Sequence, residues 1–157
     1  MAARYTLIGD LVGSRELTDR AGVQRMLGEV LTEVSERLAP DQELEATVGD
    51  EFQGAFVGLS DAVLASLLVR LRMLPVVDVR CGLGHGEVTV HDSSRRPLLQ
   101  DGPGWWAARD ALDVLAAPRR GAERTWYAGP AAGRVNAFLL TRDALVDRLS
   151  DRGRRLL

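Results

Sequence analysis

Tyr5-Thr6-Leu7-Ile8-Gly9-Asp10 is an apolar, β-prone run that ends in a glycine and a carboxylate. It reads as a central strand buried on both faces, spanning about Arg4 to Val12. Working outward, Val23, Met26, Leu27, Val30, Leu31, Val34 and Leu38 recur at intervals of three and four, which predicts a helix that ends before Pro40. Glu43 to Val48 alternates weakly, Gly49-Asp50 supplies a turn, and Phe52, Ala55, Phe56 and Val57 read as the return strand of a hairpin. Leu64, Leu67, Leu68 and Leu71 give a second helix over Asp61 to Leu74, stopped by Pro75. Val77, Val79, Cys81 and Leu83 then alternate with Asp78, Arg80, Gly82 and Gly84 in a fourth strand that runs on toward His91. The order β-α-β-β-α-β predicts an α/β (α+β) domain of the ferredoxin-like kind, an antiparallel sheet with helices mainly on one face.

Beyond this core, Pro103 opens a third helix through about Leu115, Thr125 to Ala128 is a short strand, and a last helix starts near Pro130 with a break near Thr141. A chain of 157 residues with 46% hydrophobic content fills one compact core, so residues 1–157 read as one domain: a core over 1–116, then a C-terminal strand and helix over 117–149. Twenty basic residues, all Arg, against twenty-two acidic ones give a net charge of -2 with no long block of either sign, which does not indicate a general nucleic-acid surface. Cys81 is the only cysteine and rules out an internal disulfide or a cysteine zinc motif. No apolar run approaches the roughly 20 residues of a membrane helix. Together these features predict a soluble cytoplasmic protein with no membrane partner.

Two carboxylates forty residues apart, Asp10 and Asp50, are predicted to meet. The helix from Val23 to Leu38 travels back roughly 24 Å at about 1.5 Å per residue, and the strand from Gln42 to Val48 recovers roughly 23 Å at about 3.3 Å per residue. Asp50 therefore returns to the edge that the chain left at Asp10. Two carboxylates about 4 Å apart repel by roughly 4 kcal/mol at an effective dielectric near 20, before Glu51 adds its charge. A bound cation or a raised pKa is expected to relieve the repulsion. Hard oxygen donors with no His or Cys nearby favour Mg2+ or Mn2+, with phosphate oxygens completing the shell. The run Leu11-Val12-Gly13-Ser14-Arg15 is short and able to turn its N–H groups toward phosphates, with Arg15 as counter-charge.

The segments Ile8-Gly9-Asp10-Leu11-Val12-Gly13-Ser14-Arg15, Val48-Gly49-Asp50-Glu51-Phe52-Gln53-Gly54, Arg80-Cys81-Gly82-Leu83-Gly84-His85-Gly86-Glu87 and Asp101-Gly102-Pro103 with Ala108-Arg109 resemble the SatD family. More distantly they are similar to the palm-like cores of class III nucleotide cyclases and diguanylate cyclase domains. That resemblance implies metal-holding positions at Asp10 and Asp50, with the Leu11 carbonyl as an added ligand, a match of Glu51 to the Glu of the diguanylate cyclase hairpin, and Arg109 as a catalytic, transition-state residue. The Asn that class III cyclases place four residues before that Arg is here Trp105, and the base-reading Lys before the hairpin is Ala46. Such departures favour binding over cyclisation. The resemblance also implies a homodimer and reads residues 150–157 as the start of a helix-turn-helix segment, so that DNA would be met through a C-terminal segment not present in this chain.

Three functions follow as expectations. The first is a metal-dependent regulatory domain that binds a nucleotide or other phosphate-bearing small molecule and signals to a DNA-binding segment. The second is a divergent nucleotide cyclase or nucleotidyl transferase using two metal ions. The third is an inert dimerisation domain. Individual residues carry plainer readings as well. Arg109 could pair with Asp101, Asp110 or Asp113; Trp105 and Trp106 could anchor the third helix to the sheet; and His85 reads as a partly buried, hydrogen-bonded side chain. Gly82, Gly84 and Gly86 share one strand face, which admits either a ligand or a closely packed helix. Arg152, Arg154 and Arg155 read as a solvated helix face or a basic tail.

Overall fold

The N-terminal apolar run becomes the middle strand of a five-stranded sheet. The computed structural model describes residues 2–118 and 121–157. Its elements are β1 (Ala3–Leu11), α1 (Arg20–Leu38), β2 (Gln42–Ala46), β3 (Glu51–Phe56), α2 (Leu59–Met73), β4 (Val79–Glu87), β5 (Thr89–Asp92), β6 (Leu99–Asp101), α3 (Pro103–Leu115), β7 (Thr125–Ala128), α4 (Ala132–Arg148) and α5 (Asp151–Arg155), with a 3-10 turn at Ser14–Glu16. The sheet order is β2-β3-β1-β4-β7. β1 pairs antiparallel with both β3 and β4, whereas β7 joins β4 in parallel. The ferredoxin-like order is thus present, and one extra strand is added at the β4 edge.

Side chains alternate across each strand, and the two faces meet different helices. Leu7, Leu11, Phe52, Phe56, Val79, Cys81 and Leu83 point into the main core with Leu27, Leu31 and Val34 of α1, Ala65 and Val69 of α2, and Leu139 of α4. Ile8 and Ala55 face the other way, onto Trp105, Ala108 and Leu112 of α3. α3 can lie there because β4 offers it glycines. A Cβ on Gly84 would stand 2.3 Å from the Ala108 nitrogen and 2.6 Å from the Gly104 carbonyl oxygen, and one on Gly82 would stand 2.3 Å from the Ala108 carbonyl oxygen. The glycine face is filled by a helix backbone, which resolves the alternative left open by the sequence. The Thr6 hydroxyl closes the same contact, donating to the Gly104 carbonyl at 2.6 Å.

The structure differs from the sequence reading in the extent of several elements. α1 begins at Arg20, three residues ahead of its first apolar position, because the Asp19 side chain caps it by accepting from the Gly22 N–H at 2.9 Å. The fourth strand stops at Glu87 instead of running to His91; Thr89–Asp92 turns away and pairs with Leu99–Asp101 in a separate two-stranded ladder. α4 is unbroken at Thr141, whose hydroxyl donates to the Ala137 carbonyl inside the helix. Among the described residues, no helix is long and apolar enough to cross a membrane.

Beneath α2 and α4 lies a charged network with no sequence forecast. Arg70, 2% exposed, donates to Asp78 at 2.7 Å and to Asp147 at 2.7 Å, and Arg124 donates to Asp78 at 2.9 Å. Arg142 reaches the Val63 carbonyl and the Thr125 hydroxyl, each at 2.8 Å, while Asp143 accepts from the Arg124 N–H at 2.9 Å. Burial opposes ionisation of Asp78, but bonds from Arg70, the Val79 N–H and Arg124 outweigh it and hold the carboxyl below its ordinary range. Burial dominates at Asp143 and pushes its carboxyl up.

Two outcomes are expected from this packing. Gly84→Ala should destabilise the fold by about 1–3 kcal/mol or more, because backbone atoms of α3 must give way; denaturant unfolding measures it. Asp78→Asn should cost about 2 kcal/mol or more at pH 7, since it removes the charge that pairs with both Arg70 and Arg124 and leaves the buried Arg70 guanidinium with Asp147 and Asp143 alone. A carboxyl held low in the folded state stabilises above its unfolded pKa and loses that contribution as pH falls through the folded value. The deficit of Asp78→Asn relative to the parent protein should therefore shrink as unfolding is measured progressively below about pH 4.

Candidate functional site

The register of β1 places three charged residues in a row across the sheet, on the face covered by α3. Asp10 stands directly opposite Glu51 of β3 on one side and Arg80 of β4 on the other. Like charges directly opposed on neighbouring strands destabilise a sheet, so Asp10 and Glu51 need relief. Two guanidinium groups supply it. Arg80 donates through Nε to Asp10 Oδ1 at 2.9 Å and through Nη2 to Asp10 Oδ2 at 2.8 Å. Arg109, carried by α3, donates through Nη1 and Nη2 to the two oxygens of Glu51, each at 2.8 Å. Both are forked pairs, the geometry in which arginine holds a carboxylate best.

Asp50 sits at the tip of the β2–β3 hairpin and is held from the other side. The tip is a tight turn in which Gly49 takes a left-handed φ of 66° and the Glu51 N–H returns to the Val48 carbonyl at 3.2 Å. Gln24 of α1 donates to the Gly49 carbonyl at 3.0 Å, and the Ser14 hydroxyl donates to Asp50 Oδ2 at 2.6 Å. The hairpin is thereby tied both to α1 and to the turn that follows β1. Glu51 lies opposite Asp10, Asp50 precedes it at the hairpin tip, and Arg80 is close enough to feel Asp50 as well as Asp10. The hydrogen bond to Asp10 comes first in pushing the Arg80 guanidinium further above its ordinary pKa. At Arg109 the bond to Glu51 has the same effect, with added attraction from Asp113 and Asp10.

The expected phosphate-binding run is only partly arranged for that task. Leu11 is buried in the ladder opposite Val79, and the Val12 N–H is committed to the Asp78 carbonyl at 2.9 Å. Gly13, with φ 66°, opens the 3-10 turn that Glu16 and Leu17 close by donating to the Gly13 and Ser14 carbonyls. Arg15 is exposed. Arg109 bonds Glu51 instead of Asp101, Asp110 or Asp113. Trp105 is buried against the sheet, as an anchor should be, whereas Trp106 is 58% exposed and donates from its indole to Asp101 at 2.6 Å. The ring of His85 lies 4.5 Å from that of Tyr5, its partner on β1. The Cys81 thiol, fully buried, is pushed up by desolvation and is no nucleophile.

Arg80 is the residue that sequence reasoning missed. Its position on the glycine face of β4 was legible from alternation, but its pairing with Asp10 depends on which strand lies beside β1 and in what register. The donor set, three carboxylates without nitrogen or sulfur, has the chemistry of a Mg2+ or Mn2+ site. Among the described residues, however, no three His, Cys, Asp or Glu side chains are grouped to hold a metal ion. The guanidiniums hold both oxygens of Asp10 and both of Glu51. A carboxylate keeps further lone pairs when it accepts a forked arginine, so the arginine pairs do not exhaust the acceptor capacity of these side chains.

Solved structures share this architecture at low identity. A bacterial light-regulated adenylyl cyclase superposes with a TM-score of 0.63 at 14% identity, covering 80% of this chain and 74% of its own. The guanylate cyclase domain of RhGC from Catenaria anguillulae, in complex with GTP, gives 0.54 at 15% identity over 71% of this chain and 72% of that one. The GGDEF domain of DgcB from Caulobacter crescentus, in complex with c-di-GMP, gives 0.53 at 15% identity over 80% and 77%. At such identities the likeness establishes a cyclase-type palm fold and nothing finer. No curated protein sequence matches the chain. The sequence matches the SatD family over residues 5–119, from within β1 to just past α3, and the chain therefore belongs to the SatD family.

Proposed function

We propose that this SatD-family domain binds a nucleotide or another phosphate-bearing small molecule at the Asp10–Asp50–Glu51 corner, together with Mg2+ or Mn2+, and that its role is regulatory. The observation that carries the reading is the cross-strand row of Glu51, Asp10 and Arg80, with Arg109 of α3 bonded to Glu51 and Asp50 beside it at the hairpin tip. Arg80 and Arg109 carry forked donors of a kind suited to phosphate oxygens, and Arg15 stands exposed on the adjoining turn. Asp10 and Asp50, with the Leu11 carbonyl nearby in the chain, would hold the cation, which neutralises phosphate charge when bound. The similar folds that carry GTP and c-di-GMP support a nucleotide as ligand.

Binding is favoured over turnover by the surroundings of Arg109. The position four residues earlier is Trp105, buried in the sheet contact, so no polar side chain from there reaches a ribose. Arg109 itself is tied to Glu51. Within the same reading two copies pair, and ligand state is passed to a DNA-binding segment. The cyclase or transferase alternative keeps Asp10 and Asp50 as metal positions and Arg109 as the transition-state group.

Melting with ATP, GTP or c-di-GMP plus magnesium tests the proposal. A ligand that binds the folded state at a hundredfold excess over Kd should raise stability by about 2.7 kcal/mol, and Asp50→Asn should remove most of that shift. A folded protein that melts identically with all three would end the reading. Conversion of a nucleoside triphosphate, lost in Asp50→Asn, would establish the enzymatic alternative in its place.

A further inference from the structure

We propose that Arg80 is a built-in counter-ion at Asp10, which keeps the corner from taking a bare divalent cation and gives way only when a phosphate ligand arrives with the metal. The inference rests on the reading of the corner as a metal–phosphate site and adds what controls entry to it.

The first ground is placement. Arg80 belongs to β4 and stands directly across the ladder from Asp10, so the sheet fixes its backbone beside that carboxylate. Both hydrogen bonds of its forked guanidinium go to the Asp10 carboxylate, at 2.9 and 2.8 Å. A cation meeting Asp10 would approach oxygens that already carry a positive group at hydrogen-bond distance. The second ground is charge. Asp10, Asp50 and Glu51 against Arg80 and Arg109 leave one net negative charge, a weak attraction for a dication that must also shed water. A polyphosphate reverses the balance. It brings several negative charges and offers the guanidinium a forked partner of the same geometry as the carboxylate it leaves.

The third ground is exposure. The Arg80 and Asp10 side chains are 26% and 16% accessible, so the pair can exchange partners at the surface. The Arg70–Asp78 pair, between α2 and the residue that precedes β4, is built differently: its guanidinium is 2% accessible and shared with Asp147, a fixed structural link. Two forked arginine pairs of similar length thus serve different ends, one exchangeable and one not.

Binding of Mn2+ alone, followed by the paramagnetic resonance of the free ion, tests the assignment. The parent protein should bind Mn2+ at least about tenfold more weakly than Arg80→Gln, in which Asp10 is released. Arg80→Lys, which keeps the charge but not the fork, should show a smaller gain of about threefold. Adding Asp10→Asn to Arg80→Gln should abolish the gain. Equal Mn2+ affinity in the parent and Arg80→Gln would overturn the proposal, as would a gain that survives Asp10→Asn. Circular dichroism checks each variant, and if Arg80→Gln does not fold, the absence of any gain in Arg80→Lys overturns it equally. The outcome is separable from that of the nucleotide reading: a gain of Mn2+ binding on Arg80→Gln, with no phosphate ligand bound by the parent, upholds the counter-ion and removes the ligand.

Discussion

The contact on which the rest of the molecule depends is the seating of α3 directly on β4. Gly82, Gly84 and Gly86 strip that strand face of side chains, and the helix backbone comes down to where Cβ atoms would otherwise stand. The contact covers the second face of the sheet and buries Trp105, Ala108 and Leu112 against Ile8 and Ala55. It also sets Arg109 within reach of Glu51 on β3, two strands away from β4. A small residue pattern on one strand thereby places a charged group over another.

The charge chemistry of the corner follows from that seating and from the strand register. With Glu51, Asp10 and Arg80 in one cross-strand row, the repulsion between the two carboxylates is met from within the protein. Arg80 and Arg109 neutralise Asp10 and Glu51 with forked hydrogen bonds, while the Ser14 hydroxyl holds Asp50. Repulsion among acidic residues therefore gives no measure of how strongly the corner attracts a metal ion.

A second set of charges does structural work out of sight. Arg70, Asp78, Arg124, Arg142 and Asp143 join α2, α4 and the strands β4 and β7 through mutual hydrogen bonds. Asn136 adds an amide clasp, accepting from the Tyr127 N–H and donating to the Tyr127 carbonyl, both at 2.8 Å. These polar groups seat α4 and the added strand β7 beside β4, and burial makes each of them costly to leave unpaired. In sequence they read as ordinary members of amphipathic helices and loops, so neither the network nor the parallel pairing of β7 was foreseeable from periodicity.

The amino-acid sequence by itself determined the element order and the faces. Apolar spacing located α1 and α2, a continuous apolar run located β1, alternation located β4, and chain geometry returned the hairpin to the end of β1, where Glu51 stands opposite Asp10, because rise per residue and turn chemistry are local properties. Helix caps shifted boundaries by a few residues, as Asp19 did for α1, and a hydroxyl bonded within its own helix kept α4 whole at Thr141. Tertiary structure decided what no local rule carries: that a helix fills the glycine face, that Val12 spends its N–H on Asp78, and that Arg80 faces Asp10 and Arg109 faces Glu51. Those partners lie about 60 to 70 residues apart in the chain. Pairing at that range depends on sheet order, register and helix seating together, and these are settled by the packing of the whole domain.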